Sequence, residues 1–212
     1  IDSDTRLVFV CNPNNPTGTF IDPDYVKDFC ATVSQKVPVF SDEAYVDYLP
    51  LEKQKSMVEL VKQDKSVVVS RTFSKIYGLA GLRIGYLVGR PDIIKKITRV
   101  GSSMEISWLA VEAAKQALKD KEFVNLSREV NRKGRAILCE FLDSKKIFYG
   151  KSETNFVIFP SPASGKEVLE SLKSRGYLIR MYEFKSREWC RVSIGTEEQM
   201  KGFVAAYSAL YA

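Results

Sequence analysis

Short apolar runs alternate with amphipathic stretches over the first two thirds of the chain, and this alternation restricts the possible folds more than any other feature. Arg6–Cys11, Val37–Ser41, Ser66–Ser70 and Arg83–Val88 each read as a strand. Between them, Asp24–Lys36 places Val26, Phe29, Cys30 and Val33 on one helical face, and Leu51–Lys62 is a weaker helix. Pro91 opens a further helix at its first turn, where the missing N–H costs nothing. Strands separated by helices predict an α/β fold with a mostly parallel sheet covered on both faces. Ligands in such folds gather at the carboxyl ends of strands. Here the polar and glycine-bearing clusters follow Cys11, Phe40 and Ser70.

Beyond Ser107 the pattern is helical as far as Asp143, with Phe123, Leu126, Val130, Ile137 and Phe141 near helical spacing. That length predicts two consecutive helices, the second bridging to a separate lobe. The tail reads β-α-β-β-α: Phe156–Phe159, Gly165–Ser174, Leu178–Met181, Cys190–Ile194 and Glu197–Leu210. The expected division is a large domain over 1–122 and a small C-terminal α/β domain over 123–212.

Composition removes several classes of chemistry. The 212 residues contain no histidine, which excludes within this chain every Ser-His-Asp or Cys-His triad and every histidine-ligated metal. Cys11, Cys30, Cys139 and Cys190 form no C-x-x-C pair, so no metal is expected, and reduced thiols in a cytoplasmic protein are. The charge is +6, from 32 basic and 26 acidic residues. Its loosest cluster, Arg128, Arg132, Lys133 and Arg135, reads as a solvated helix face, so nucleic acid is not an expected partner. The longest apolar stretches, such as Leu7–Cys11, fall far short of the ~20 residues of a membrane span. Neither a G-x-x-x-x-G-K-[ST] loop nor a G-x-G-x-x-G after a strand is present.

Three clusters at strand ends remain: Asn12-Pro-Asn-Asn-Pro-Thr-Gly18, Ser41-Asp-Glu-Ala-Tyr45, and Ser70-Arg-Thr-Phe-Ser-Lys75 followed by Gly78, Gly81, Arg83 and Gly85. Singly, each has a plain structural reading as a turn, a cap or a solvated loop. Together and in this order they resemble the fold-type I pyridoxal-phosphate aminotransferases of class I/II. Within that family the wording NPNNPTG, DEAYVDY and RTFSKIYGLAGLRIGY is most similar to the histidinol-phosphate branch.

The resemblance implies pyridoxal 5′-phosphate as cofactor and assigns residues around it. Lys75 matches the lysine that holds the aldehyde covalently and then carries protons. Asp42 matches the carboxylate that keeps the ring nitrogen protonated. Glu43 is expected to face the other way, since strand side chains alternate. Tyr45 and Asn15 match the two partners of the ring oxygen, and a cis bond is implied at Asn15–Pro16. Thr72, Ser74 and Arg83 match the phosphate donors. Arg191 matches the arginine for the substrate α-carboxylate, while Arg180 and Asn155 match further positions near the substrate. A plain strand-end arginine is an equal reading of Arg180.

The implied activity is amino transfer between an amino acid, histidinol phosphate by the wording, and 2-oxoglutarate. The implied partners are these small molecules, with no membrane, and the implied assembly is a homodimer. The family's chain extends considerably further on the N-terminal side, where part of the phosphate site lies. The expectation is therefore a C-terminal portion that alone binds cofactor weakly and catalyses poorly; a natural remnant is the alternative. An aminotransferase for aromatic or branched substrates, a same-fold decarboxylase of a phosphorylated amino acid, and an effector domain of a transcription regulator stay open.

Overall fold

The computed structural model describes residues 1–101 and 106–210. The chain divides into two units: one comprises Ile1–Pro13 and Ile21–Val124, the other Asn14–Phe20 and the chain from Asn125 onward. The excursion of Asn14–Phe20 is not visible to a reading by contiguous segments.

In the first unit, β1 (Val8–Cys11), β2 (Val39–Asp42) and β3 (Val67–Thr72) pair in parallel. β4 (Gly85–Gly89) runs antiparallel to β3, giving the order β1-β2-β3-β4. Val39, Val67 and Val69 are fully buried on one face of the sheet. Against them pack Val26, Cys30 and Val33 of α1 (Pro23–Val33), and Leu60 of α2 (Val58–Lys62). Each such side chain contributes roughly 1.5–3 kcal/mol on burial, so this layer fixes the three parallel strands. α1 starts cleanly because the Asp22 carboxylate accepts from the Asp24 N–H at 2.9 Å and Pro23 fills the first turn. By the two-residue period of a strand, Asp42, Ser70 and Thr72 lie on the opposite face. Asp42 and Ser70 are register partners there.

The Leu51–Lys62 stretch is not one helix. It makes a 3₁₀ turn at Leu51–Lys53 and then α2, because the Gln54 side chain donates to the Leu49 carbonyl at 2.6 Å and draws the chain out of the helical path. α3 (Pro91–Val100) and α4 (Trp108–Ala117) follow. Ala110 and Ala114 of α4 pack on Phe73 and Ile84. α5 (Lys121–Ser144) opens with the Asp120 carboxylate accepting from the Phe123 N–H at 2.9 Å. The long helical stretch is thus the two helices expected.

In the second unit, β5 (Phe156–Pro160), β7 (Arg187–Ser193) and β6 (Arg180–Phe184) form an antiparallel sheet in the order β5-β7-β6. α6 (Gly165–Ser174) and α7 (Glu197–Ser208) each begin with a reciprocal capping box, Ser164 with Glu167 and Thr196 with Gln199. The core gathers Leu138 and Leu142 of α5, Phe159 of β5, Leu172 of α6, and Tyr207 of α7. Phe123 and Leu126, placed by spacing on the packing face of α5, are instead exposed. The sixth strand also sits later than Leu178–Met181. Lys185 and Ser186 both adopt left-handed φ, 50° and 60°, and this tight turn sets the register of β6 on β7.

Among the described residues, no helix is long and apolar enough to cross a membrane, and no group of three acidic or cysteine side chains could hold a metal. Burial pushes the Cys30 and Cys190 thiols up to about 11, Cys30 also by the charge of Glu43. Their folded pKa lies above the unfolded value near 9.0, so the stability that depends on keeping them protonated is complete below about pH 9. It is lost as pH rises to about 11. Chemical denaturation across that window should show falling stability, and Cys30→Ala with Cys190→Ala should flatten the fall. A wild-type curve that stays level would contradict the assignment.

Candidate active site

The carboxyl ends of β2 and β3 carry six of the residues singled out by sequence: Asp42, Tyr45, Thr72, Ser74, Lys75 and Arg83, all in the first unit. Asp42 ends β2 half-buried, and its Oδ1 accepts from the Ala44 N–H at 3.0 Å. Tyr45 follows in the turn and is 3 % exposed. Lys75 lies in the loop after β3 with its Nζ 5.3 Å from the centre of the Tyr45 ring, within cation–π range. Thr72 Oγ1 accepts from the Ser74 N–H at 3.0 Å, which folds the loop so that both hydroxyls stand at one site.

That site is a cavity of about 430 Å³ lined by Ser70, Arg71, Thr72, Ser74, Arg83 and Tyr86, among others. Arg83 has left-handed backbone, φ 49° and ψ 44°, uncommon for a non-glycine residue. One arm of its guanidinium donates to the Ala80 carbonyl at 2.8 Å. Gly85 also lines the cavity, and a Cβ there would lie 2.7 Å from the Arg71 carbonyl oxygen. Hydroxyls and a guanidinium around a cradle that admits only glycine suit a phosphate. An amine held over a phenol beside it suits an aldehyde. The residues present therefore fit pyridoxal phosphate.

Behind this face lies an ionic network that the motif reading missed. Glu43 is 3 % exposed, and its Oε2 accepts from Arg71 Nε and Nη2, each at 2.8 Å. Oε2 also accepts from the Ser56 hydroxyl at 2.8 Å, and Oε1 from the Met57 N–H at 2.7 Å. Arg71 Nη1 reaches Asp47 at 3.4 Å. The signal was available. The alternation that turns Glu43 away from Asp42 also turns Arg71 away from Thr72, and the parallel register sets the two side by side. Arg71→Met would strand a buried carboxylate. The expected loss is about 3–5 kcal/mol, read by urea denaturation; a loss indistinguishable from zero would mean the pair is solvated.

Asn15, Asn155, Arg180 and Arg191 fall in the second unit. Asn15 is exposed and precedes a cis bond to Pro16, as the resemblance implied; Asn12–Pro13 is cis as well. The Asn14–Thr19 turn closes through Gly18, at φ +74°, where a Cβ would meet the Ser152 side chain. Arg180 and Arg191 are cross-strand partners on β6 and β7 and together line a cavity of about 450 Å³. The Arg191 guanidinium stacks 3.6 Å from the Phe156 ring centre. Its Nε is buried and has no hydrogen-bond partner among the described residues. A stacked guanidinium paired across the strands with a second arginine has the chemistry to suit an anion. Asn155 immediately precedes that ring, and its carbonyl accepts from the Ile194 N–H at 2.8 Å.

The family model for aminotransferases of class I and II matches residues 1–206. The histidinol-phosphate aminotransferase of Halalkalibacterium halodurans is 39 % identical over 213 residues, spanning 100 % of this chain and 58 % of its own. That of Moorella thermoacetica is 40 % identical over 210 residues, covering 98 % and 54 %. Among solved structures, histidinol-phosphate aminotransferase from Sinorhizobium meliloti in complex with pyridoxal-5′-phosphate superposes with a TM-score of 0.86 at 26 % identity, over 98 % of this chain and 57 % of that one. The chain thus spans little more than half the length of the curated relatives it matches.

Proposed function

The chain belongs to the class I and II aminotransferases, and from that premise we propose that it holds pyridoxal 5′-phosphate and transfers an amino group from histidinol phosphate to 2-oxoglutarate, in histidine biosynthesis. The observation that carries the reading is Lys75 Nζ set over the Tyr45 ring, beside the Thr72, Ser74 and Arg83 cavity.

When bound, the cofactor supplies the electron sink that makes the amino-acid Cα acidic. The chain supplies the rest. Lys75 Nζ would hold the aldehyde carbon and would take and return the proton at the substrate Cα. Asp42 places a carboxylate for the ring nitrogen and keeps it protonated. Tyr45 would hydrogen-bond the ring oxygen, a role that the resemblance also gives Asn15. Thr72 and Ser74 donate hydroxyl hydrogens to the phosphate, and Arg83 neutralises it. Arg191 binds the substrate's anionic end through its fork, with Arg180 as the second cation and Asn155 as a further substrate contact. An amino donor that carries a phosphate ester, as histidinol phosphate does, suits a paired-arginine site better than an apolar donor does. Cytoplasmic location and a homodimeric assembly belong to the same proposal and rest on family membership.

A donor screen tests it. The protein with pyridoxal phosphate and 2-oxoglutarate is offered histidinol phosphate, aromatic and branched amino acids, and a phosphorylated amino acid, with glutamate and carbon dioxide both measured. Glutamate formed fastest from histidinol phosphate supports the proposal. Carbon dioxide without glutamate would replace it with decarboxylation.

A further inference from the structure

We propose that Arg71 is a positioning residue that sets Tyr45 against Lys75. The inference rests on the reading of Tyr45 and Lys75 as cofactor groups. Tyr45 sits in the middle of the five-residue segment Glu43–Asp47, and both ends of that segment are tied to one guanidinium. Nε and Nη2 of Arg71 hold Glu43 at 2.8 Å, and Nη1 holds Asp47 at 3.4 Å. The clamp is itself anchored. Glu43 N–H donates to the Ser70 carbonyl at 3.0 Å, which joins the segment to β3. The Glu43 carboxylate also takes the Ser56 hydroxyl and the Met57 N–H at the entrance to α2. Val46 N–H donates to the Glu43 carbonyl at 3.2 Å within the segment, and Tyr48 N–H, just beyond it, to the Tyr45 carbonyl at 3.1 Å, so the turn has little slack.

The same arginine is one residue before Thr72 and four before Lys75. One side chain therefore ties the turn bearing Tyr45 to the strand that leads into the lysine loop. The parts are polar and nearly closed to solvent: the Arg71, Glu43 and Asp47 side chains are 16 %, 4 % and 20 % exposed. A planar fork can hold two carboxylates at fixed angles, whereas an ammonium cannot. A pair that served folding alone would not need a second carboxylate from the far side of Tyr45.

The test uses Asp47→Asn, which removes the charge at the far end of the segment and keeps the buried pair, and Arg71→Lys, which keeps the charge and loses the fork. The first readout is the pH profile of Lys75 labelling by a small amine-reactive reagent in the cofactor-free protein, followed by peptide mass spectrometry. The second is the dissociation constant for added pyridoxal phosphate. Both variants should displace the labelling midpoint by about half a pH unit, roughly a three-fold change in rate near the midpoint. Both should weaken cofactor binding, while Asp47→Asn melts like the parent. A lowered melting temperature with unchanged midpoint and affinity would overturn the proposal and leave Arg71 merely structural. Should Arg71→Lys fail to fold, Asp47→Asn decides alone. A parent protein that gains no cofactor band would sink the reading of the site instead, and the labelling profile would still judge Arg71.

Discussion

Lys75→Ala is expected to fold, to lose the visible absorbance that pyridoxal phosphate acquires on covalent attachment, and to turn over at least about 10²–10⁴-fold more slowly. The lower bound counts only the proton carried at the substrate Cα. Loss of the covalent hold on the cofactor adds to it. The fold should survive because Lys75 lies in a loop after β3, and the cation–π approach to Tyr45 at 5.3 Å that the substitution removes is worth roughly 0.5–2 kcal/mol. The core that holds β3, Val67 and Val69 against α1 and α2, is untouched. Absorbance spectra before and after cofactor addition, with a melting curve on the same sample, separate the two effects. A mutant that keeps the band and the rate would remove Lys75 from the site.

The second large effect concerns Arg191, where function and stability should move in opposite directions. Replacement by methionine keeps most of the side-chain volume over Phe156 and removes the charge. Hydrogen bonds to charged groups are worth about 1.5–3 kcal/mol each, so substrate affinity should fall roughly 10- to 150-fold. The protein itself sheds a buried Nε that has no partner among the described residues, a group costing about 1–3 kcal/mol, and a stacking interaction worth roughly 0.5–2 kcal/mol. The melting temperature should therefore hold or rise. Arg191→Lys should not restore affinity, because a lysine has no fork to offer the substrate's anionic group. A variant that binds substrate normally and melts early would make Arg191 a structural residue.

These two sites differ in how legible they were in the sequence. Lys75, Thr72, Ser74 and Arg83 were singled out by the resemblance, which a contiguous motif after one strand can carry, and the Ser74 N–H to Thr72 Oγ1 bond holds that loop in the structure. Glu43 could be turned away from Asp42 by strand alternation alone. The Arg191–Phe156 stack could not be read. It depends on β5 and β7 pairing in one register, Phe156 opposite Ser193 and Ile158 opposite Arg191, and on their separation of some thirty residues in sequence. The same holds for Arg180, whose strand begins two residues later than its apolar pattern suggests because the Lys185–Ser186 turn sets the pairing. Phe123 and Leu126 have helical spacing yet stay exposed, since periodicity gives a face and not its neighbour.

Reduction of the pyridoxal phosphate-treated protein with borohydride, followed by peptide mapping, tests the central claim most directly. The account predicts a stable pyridoxyl group on the peptide containing Lys75, prevented by Lys75→Ala. The group on another lysine, or on none, would contradict it.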